Sequence, residues 1–231
     1  MLTIIGVGHV FDLRARLGRL IAERMPRVVA LELDPARYHA LRHPGEGRRG
    51  SFIYGFLALV QQRIARGYGT TPGGEMLAAA DAARECGASI ALIDRDAHAV
   101  FASLRAIPFE EKVKMLVSAL GGIFISKRAV DEELQRYHAD EERFLQEFAV
   151  EYPALAELLV EDRNEHMARA LRGLVDEHTS VVAVVGDGHV PGLARRIGDL
   201  APEVIRLKDL LAREMSNASL GFTVSTTNLN P

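Results

Sequence analysis

Four short runs of almost uninterrupted apolar residues limit the folds open to this chain more than any other feature. The runs are Leu2–Val7, Arg27–Leu33, Ser89–Asp94 and Ser180–Gly186. They lack the alternation of apolar and polar residues that marks a strand with one wet face. Strands buried on both faces have this pattern, which is typical of parallel sheets covered by helices. The runs therefore predict an α/β protein.

Amphipathic stretches lie between the runs and have the spacing of helices. Phe11–Met25 carries apolar residues at helical spacing, and Ser51–Gly67 and Gly74–Cys86 predict two further helices. Asp34 and Pro35 form a helix start, because aspartate is a good N-cap and proline suits the first helical position. This alternation of strand and helix predicts a mainly parallel central sheet flanked by helices.

Strand patterns disappear between about residues 97 and 172 and are replaced by successive helical ones. We expect a helical insertion (97–172) within one domain of residues 1–215, which a last strand at Glu203–Leu207 completes. Residues 216–231 predict a polar tail or an edge element. Lys127–Phe148 is charged with a thin apolar stripe, which favours a solvated helix over a dimerisation helix. A homodimer through the insertion is the alternative.

Composition and charge exclude several classes of protein. The net charge of −3, from 28 basic and 31 acidic residues, lacks the basic excess of a nucleic-acid binder. The single cysteine, Cys86, excludes an internal disulfide and thiolate metal sites, so any metal needs histidines and carboxylates. We expect a cytoplasmic protein, because no signal peptide is recognisable and the longest apolar stretches are half of a membrane span.

Polar side chains follow each of the four apolar runs. The ends are Gly6-Val7-Gly8-His9, Glu32-Leu33-Asp34, Asp94-Arg95-Asp96 and Gly186-Asp187-Gly188-His189. The carboxyl ends of parallel strands line the crevice where such sheets bind ligands. Polar groups this dense are costly to bury without partners. We therefore expect them to form one site.

Two of these ends share the pattern Gly-x-Gly-His-Val. The glycines Gly6 and Gly8, and the corresponding Gly186 and Gly188, permit a sharp turn after the strand. His9 and His189 follow these glycines and are 180 positions apart. We expect the two histidines to meet in one crevice. The other six histidines lack a second ligand at convincing spacing and are interpreted as structural or solvated.

The acidic residues each have a structural explanation beside a functional one. Glu32 interrupts an apolar strand, which indicates either a functional role or a core ion pair with an arginine from a neighbouring helix. Glu75 lies in the first turn of a helix, where its interaction with the helix dipole is an adequate reason. At least one of Asp94 and Asp96 is expected to be only a helix cap.

Three further polar residues are candidates on the same grounds. Arg95 belongs to the third strand end, whereas Arg163 and Asn164 begin or lie within a helix with an apolar side. The sequence alone slightly favours a surface position for Arg163.

A nucleotide-binding α/β protein is a rival interpretation. Gly6 and Gly8 after the first strand, with Glu32 after the second, resemble part of a dinucleotide fingerprint. Phe11 stands where its third glycine belongs, and in the late motif Gly192 comes one residue late. A serine or cysteine hydrolase is weaker still, because no Gly-x-Ser-x-Gly segment occurs.

The ordered set of motifs over about residues 2–200 resembles the TraB family, which includes proteins of the PrgY and GumN types. The motifs are Gly-x-Gly-His-Val, Val-Ala-Leu-Glu-Leu-Asp, Gly-Gly-Glu-Met, Leu-Ile-Asp-Arg-Asp, Asp-Arg-Asn-Glu-His-Met and Val-Val-Gly-Asp-Gly-His-Val-Pro-Gly. The family is similar to the Tiki metalloproteases, within a wider erythromycin-esterase-like and ChaN-like group. Many relatives have C-terminal membrane helices, which we do not find in this sequence.

The resemblance implies a metal-dependent hydrolase, and among hydrolases it favours a peptidase. It maps the two histidine motifs onto His9 and His189, two acids onto Glu32 and Glu75, and the late arginine onto Arg163, with Asn164 beside it. The family often has Glu-Arg-Asp where this chain has Asp-Arg-Asn, which is closer to the Tiki pattern.

We expect a divalent ion held by His9, His189 and carboxylates from among Glu32, Glu75 and Asp94. The resemblance favours manganese or cobalt, and mixed imidazole and carboxylate donors also suit zinc or iron.

Glu32 is our choice of general base if it is not bound to the metal. Arg163 or Arg95 would steady an oxyanion or a substrate carboxylate, and the insertion would cover the crevice. The alternative is a non-catalytic protein that binds a peptide or small ligand in the same crevice.

Overall fold

The computed structural model describes residues 1–8, 13–44, 73–114 and 141–212. Its centre is a five-stranded sheet in which every pairing is parallel, with the order β3-β2-β4-β1-β5. The strands are β1 (Leu2–Val7), β2 (Val28–Leu31), β3 (Ser89–Leu92), β4 (Val181–Gly186) and β5 (Glu203–Ile205). The predicted α/β class is confirmed, and all five predicted strands form.

The register of the strands brings their carboxyl ends to one edge. Leu31 of β2 is paired with Val184 of β4 and with Leu92 of β3. On the other side of β4, Val7 of β1 is paired with Gly186. Residues that follow β2, β3 and β4 therefore meet along this edge, as the strand-end pattern predicts.

Eight helices with defined bounds surround the sheet in the described ranges. They are α1 (Arg14–Arg24), α2 (Pro35–Arg42), α3 (Gly74–Glu85), α4 (Ala97–Ser103), α5 (Glu141–Glu151), α6 (Pro153–Ala156), α7 (Asp162–Glu177) and α8 (Val190–Arg196). A π-helical turn, Glu157–Glu161, leads into α7, and 3₁₀ turns span Leu104–Ala106, Asp187–His189 and Gly198–Leu200. Residues 109–114 and 207–212 are also helical.

Asp34 caps α2 as its sequence predicts. Its Oδ1 accepts hydrogen bonds from the backbone N–H groups of Ala36 and Arg37, at 2.8 and 3.0 Å. Pro35 occupies the first helical turn, where its missing N–H costs nothing. The helix α2 therefore begins directly after the carboxyl end of β2.

Both faces of the three central strands, β1, β2 and β4, are buried, which is the physical reason for their uninterrupted apolar runs. On one face, Leu17 and Ile21 of α1 and alanines of α3 belong to one core with alternate residues of the central strands. On the other face, Met167 and Leu171 of α7 and residues of α8 form the second core. Successive strand residues thus enter opposite layers, and neither layer admits water.

The described parts of the insertion are mostly helical and have a small core of their own. Val100, Ile107, Leu155 and Leu158 form this core. The buried carboxylate of Glu111 accepts hydrogen bonds from two N–H groups at the start of α6, each at 3.1 Å. The insertion therefore holds its own packing up to the π turn that leads into α7.

Several predictions fall outside the described residues. They are the helix at Ser51–Gly67, most of Lys127–Phe148, the tail at 216–231 and His9. In the parts of the chain that the structure describes, no helix has the length and apolarity to cross a bilayer.

Candidate active site at the carboxyl edge of the sheet

Glu32 is the centre of the polar cluster that follows the strands. Its side chain is buried directly after β2, and Oε2 accepts a hydrogen bond from the backbone N–H of Gly186 at 2.6 Å. Oε1 accepts from Arg163 Nη2 and lies 3.3 Å from His189 Nε2. A Cβ at position 186 would come within 3.3 Å of Oε2, so the glycine permits this close approach. Glu32 thus joins β2, β4 and α7.

Arg163 binds two buried carboxylates at once. In addition to its contact with Glu32, it donates from Nε and Nη2 to the two oxygens of Asp94, at 2.9 and 2.8 Å. Its Nη1 donates to the carbonyl of Leu159 in the π turn, at 3.3 Å. The surface interpretation of Arg163 is wrong, because its guanidinium lies inside this cluster. The ion pair that the sequence allowed for Glu32 is present.

Asp94 receives four hydrogen bonds and has no open lone-pair direction left. Besides Arg163, Arg37 Nη1 donates to Oδ2 at 3.1 Å and the backbone N–H of Arg95 donates to Oδ1 at 2.8 Å. Sequence reasoning missed Arg37. The available signal was its place in the first turn of α2, three residues after an N-cap that lies at the carboxyl edge.

The ionisation of this cluster follows from its contacts. Burial alone would raise the pKa of Glu32, but the charge and hydrogen bond of His189, then Arg163 and the Gly186 N–H, outweigh it. The pKa of Glu32 is therefore held well below its usual range. Burial lowers the pKa of Arg163, and its contacts with Glu32 and Asp94 reverse this and raise it. Glu32 and Arg163 are therefore both charged at neutral pH.

His189 has a defined orientation on the other side of Glu32. Its ring is mostly buried at the end of the turn Asp187–His189, and Nδ1 lies 2.8 Å from Oδ1 of Asn164 on α7. The Nε2 atom faces the Glu32 carboxylate. The structure thus brings together four predicted residues from three separate parts of the chain: Glu32, Arg163, Asn164 and His189.

Asp187, two residues earlier, is engaged on the opposite side of β4. Arg206 donates to it from Nε and Nη2, at 3.1 and 2.9 Å, and the Leu207 N–H donates at 2.8 Å. A Cβ at position 6 would overlap Asp187 Oδ1. Gly6 is therefore accounted for by this buried carboxylate, without the close approach of a nucleotide phosphate.

The other candidates occupy defined places around the edge. Arg95 Nη1 pairs with Asp162 at 2.8 Å, and Asp96 accepts from the Ala99 N–H at 2.9 Å. Asp96 is thus the helix cap that the sequence led us to expect. Glu75 is buried in the first turn of α3. Gly8 follows β1 and Gly188 lies in the Asp187–His189 turn.

The donor types at the centre fit a divalent ion, although the set is incomplete in the described residues. His189 Nε2 and Glu32 Oε1 form a nitrogen–oxygen pair that manganese, cobalt, iron and zinc all accept. Within the described ranges no three His, Cys, Asp or Glu side chains form such a group. His9 lies outside these ranges. Asp94, which we expected as a ligand, is occupied by two guanidinium groups.

Comparison with known proteins identifies the family. The model of the TraB/PrgY/gumN family matches residues 1–202. The chain is also 31% identical, over 211 residues, to Uncharacterized protein MJ1365 of Methanocaldococcus jannaschii. The alignment covers 85% of this chain and 53% of that protein, so the chain spans about half the length of this relative. The resemblance that the six ordered motifs indicate is confirmed, and the chain belongs to the TraB/PrgY/gumN family.

Proposed function

We propose that this protein is a metal-dependent hydrolase that acts on peptides at the carboxyl edge of its sheet. One observation carries the proposal: an imidazole nitrogen and a carboxylate oxygen, both mostly buried, face each other at 3.3 Å at the carboxyl edge of the sheet. They belong to His189 and Glu32. Parallel α/β sheets bind their ligands in this position, and an imidazole that can bind an ion beside a carboxylate that can accept a proton would supply a metal ligand and a base for such a hydrolase.

The residues that would hold the ion are the two histidines and one carboxylate. His189 offers Nε2, and His9 follows β1, the strand next to β4 in the sheet. Asp94 is the weakest choice for the carboxylate, because it already has four hydrogen-bond donors on its oxygens, which leaves Glu75 and Glu32 as the candidates. A bound manganese or cobalt ion would supply a water of lowered pKa and polarise a substrate carbonyl.

Glu32 would accept a proton from the attacking water. Its depressed pKa keeps it ionised at neutral pH, and the Gly186 N–H and Arg163 hold it in one position. A low pKa makes it a weaker base than an ordinary glutamate. Its contribution therefore depends on its constant charge and on its fixed position.

The two arginines take different parts in this proposal. Arg163 has its donors occupied by Glu32, Asp94 and a backbone carbonyl, so it orients the carboxylates. Arg95 makes one side-chain ion pair, with Asp162, and is 26% exposed. It is the arginine that can reach an oxyanion or a substrate carboxylate. The insertion, which supplies the π turn and the first part of α7, would cover the site.

Calorimetric titration with manganese and with cobalt tests the metal claim. We expect binding to the unaltered protein, and no binding to the double variant His9→Ala plus His189→Ala. His178→Ala is the matched control, since this histidine lies outside the cluster. Ion binding that is unchanged in the double variant would show that the metal claim is wrong. Incubation of each protein with a peptide library and the same ions then tests for cleavage.

A non-catalytic peptide binder is the second candidate. The observation that favours it is the number of hydrogen bonds already made to the carboxylates of Glu32 and Asp94, which leaves few acceptors open for proton transfer. Mass spectrometry of the incubated library separates the candidates. A hydrolase yields shortened peptides, whereas a binder retains peptides of unchanged mass.

A homodimer through the insertion stays a prediction. Two apolar side chains of the insertion are largely exposed, Phe109 at 78% and Val150 at 84%. Sedimentation equilibrium of the unaltered chain and of a variant with Phe109→Ser and Val150→Ser tests it. We expect the variant to be the weaker dimer.

A further inference from the structure

Two histidines, His39 and His43, lie one helical turn apart at the end of α2. The backbone N–H of His43 donates to the carbonyl of His39 at 3.0 Å, so the helical hydrogen bonds continue as far as His43. Both side chains are exposed, and the centres of their rings are 4.6 Å apart. From the sequence we interpreted both as structural or solvated. The helix makes them neighbours, because residues four apart share one face.

We propose that His39 and His43, here called the α2 pair, form a second metal site that takes a divalent transition ion, above all Cu²⁺. Two histidines at positions i and i+4 of a helix are the arrangement by which helical motifs bind zinc. Among the divalent first-row ions, Cu²⁺ forms the most stable complexes with nitrogen donors. The site does not depend on the proposed function, because it uses none of the residues at the carboxyl edge of the sheet.

The distance between the two rings fits one bound ion. With bonds of about 2.0–2.1 Å to one nitrogen of each ring and an angle of about 90–110° between them, the ring centres lie about 4.5–5.2 Å apart. The observed separation of 4.6 Å is at the short end, which corresponds to the square-planar geometry that Cu²⁺ prefers. The ring planes are tilted by 32°, and rotation of the exposed side chains can turn a nitrogen of each ring to the ion.

The surroundings of the α2 pair leave its nitrogens available. Among the described residues, neither ring takes part in an ion pair or a side-chain hydrogen bond. The neighbouring cation, Arg42, forms an ion pair with Asp81 at 2.7 Å and lies over the ring of Tyr38. The negative end of the helix dipole also lies at this end of α2, where it favours a cation. The local charges therefore permit an ion at the α2 pair.

The α2 pair is separate from the carboxyl edge of the sheet. Asp34, the N-cap of α2, directly follows the β2 end of that edge. At a rise of about 1.5 Å per residue, His39 and His43 lie about 8 and 14 Å further along the helix axis. No third His, Cys, Asp or Glu side chain joins them within the described ranges. Water would therefore fill the remaining positions around the ion.

Calorimetric titration with Cu²⁺ tests the site. In the unaltered chain we expect a tightly bound ion that is lost when either member of the α2 pair is removed. His39→Ala and His43→Ala should each weaken this binding about 100-fold, because two donors on one scaffold act together. Both side chains are exposed, so these changes should leave the fold intact. His178→Ala, which removes a histidine outside the pair, is the control and should bind Cu²⁺ as the unaltered chain does.

A relocated pair tests the spacing itself. His43→Ala combined with Ala40→His keeps the number of histidines on α2, and Ala40 is exposed. The two histidines are then adjacent in sequence and do not face each other on the helix. This variant should bind Cu²⁺ as weakly as His43→Ala alone.

Pulsed electron paramagnetic resonance of the bound Cu²⁺ counts the imidazole nitrogens coupled to it. At one ion per chain we expect two imidazoles in the unaltered chain and in the double variant His9→Ala plus His189→Ala. We expect one imidazole at most in His39→Ala when the same double change is present.

Two results would overturn the second site. One is Cu²⁺ binding of unchanged affinity in both His39→Ala and His43→Ala, and the other is full affinity in the relocated pair. Titration with manganese, which binds nitrogen donors most weakly of these ions, keeps the two sites apart. Removal of the α2 pair should leave manganese binding unchanged. Copper at the α2 pair without manganese binding contradicts only the proposed function, and the reverse contradicts only the second site.

Discussion

Two clusters with a carboxylate and an arginine lie along the same edge of the sheet, one on each side of β4. On the β2 side is the Glu32 centre, defined here as Glu32, Asp94, Arg163 and His189. On the β1 side is the Asp187 pair, formed by Asp187 and Arg206. The turn Asp187–His189 contributes to both, because its first residue belongs to one and its last to the other.

The two clusters differ in what faces the carboxylate. Glu32 and Asp187 are equally buried, at 8% and 7% exposure. Asp187 accepts hydrogen bonds from Arg206 and from the Leu207 N–H. Glu32 also faces the nitrogen of an imidazole. Burial and an ion pair are therefore common to both clusters, and among the described residues the imidazole that faces Glu32 distinguishes the candidate site from the structural pair.

The largest effect is expected from Arg163→Met. This change leaves Glu32 and Asp94 buried without the guanidinium that both contact, and removal of one partner of a buried pair costs about 3–5 kcal/mol. The free energy of unfolding in urea should fall by this amount.

Arg169→Met is the control in the same helix. Its arginine makes an exposed ion pair with Glu165, and such pairs contribute about 0.3–0.5 kcal/mol. Equal losses for the two variants would contradict the interpretation that Arg163 holds the Glu32 centre together.

The sequence could predict which edge carries the site, but not which side chains pair there. Apolar runs identify buried strands because two-sided burial excludes polar residues, and parallel strands bring their ends together. From the sequence, Glu32 could have either a functional role or a core ion pair, and the two could not be told apart. In the structure Glu32 has both the ion pair and the facing imidazole. The place of Arg37 in the first turn of α2 indicates that it lies near this edge, but its contact with Asp94 also depends on the angle at which α2 leaves the sheet.

Arg206→Met is the matching change in the Asp187 pair. Asp187 would keep the Leu207 N–H but lose the charged partner, and we expect a loss of about 2 kcal/mol in unfolding free energy. Calorimetry should show ion binding as in the unaltered protein. A loss of ion binding in this variant would break the distinction between the two clusters.

The pH dependence of stability should separate Glu32 from ordinary carboxylates. Because the pKa of Glu32 is lower in the folded chain than in the unfolded one, its contribution is fully present above the unfolded pKa of about 4.3. It is lost as the pH falls through the folded pKa. Glu32→Gln should reduce the slope of unfolding free energy against pH below about pH 4, by at most about 1.4 kcal/mol per pH unit. Unfolding in urea at several acidic pH values measures this slope, and an identical slope in both proteins would contradict the lowered pKa.

The smallest effect on stability is expected from Arg95→Met. This variant tests whether Arg95, which follows Asp94 of the Glu32 centre, has a role in binding rather than in folding. Its pair with Asp162 is partly exposed, so the loss in unfolding free energy should stay below about 1 kcal/mol. If Arg95 contacts a substrate oxygen, the KM for a cleaved peptide should rise about tenfold, as expected for the loss of one charge-assisted hydrogen bond.

Asp96→Ala, which removes only a helix cap, should cost about 1 kcal/mol in unfolding free energy and leave KM unchanged. Equal KM values for the two variants would place Arg95 with the structural pairs, beside Arg206.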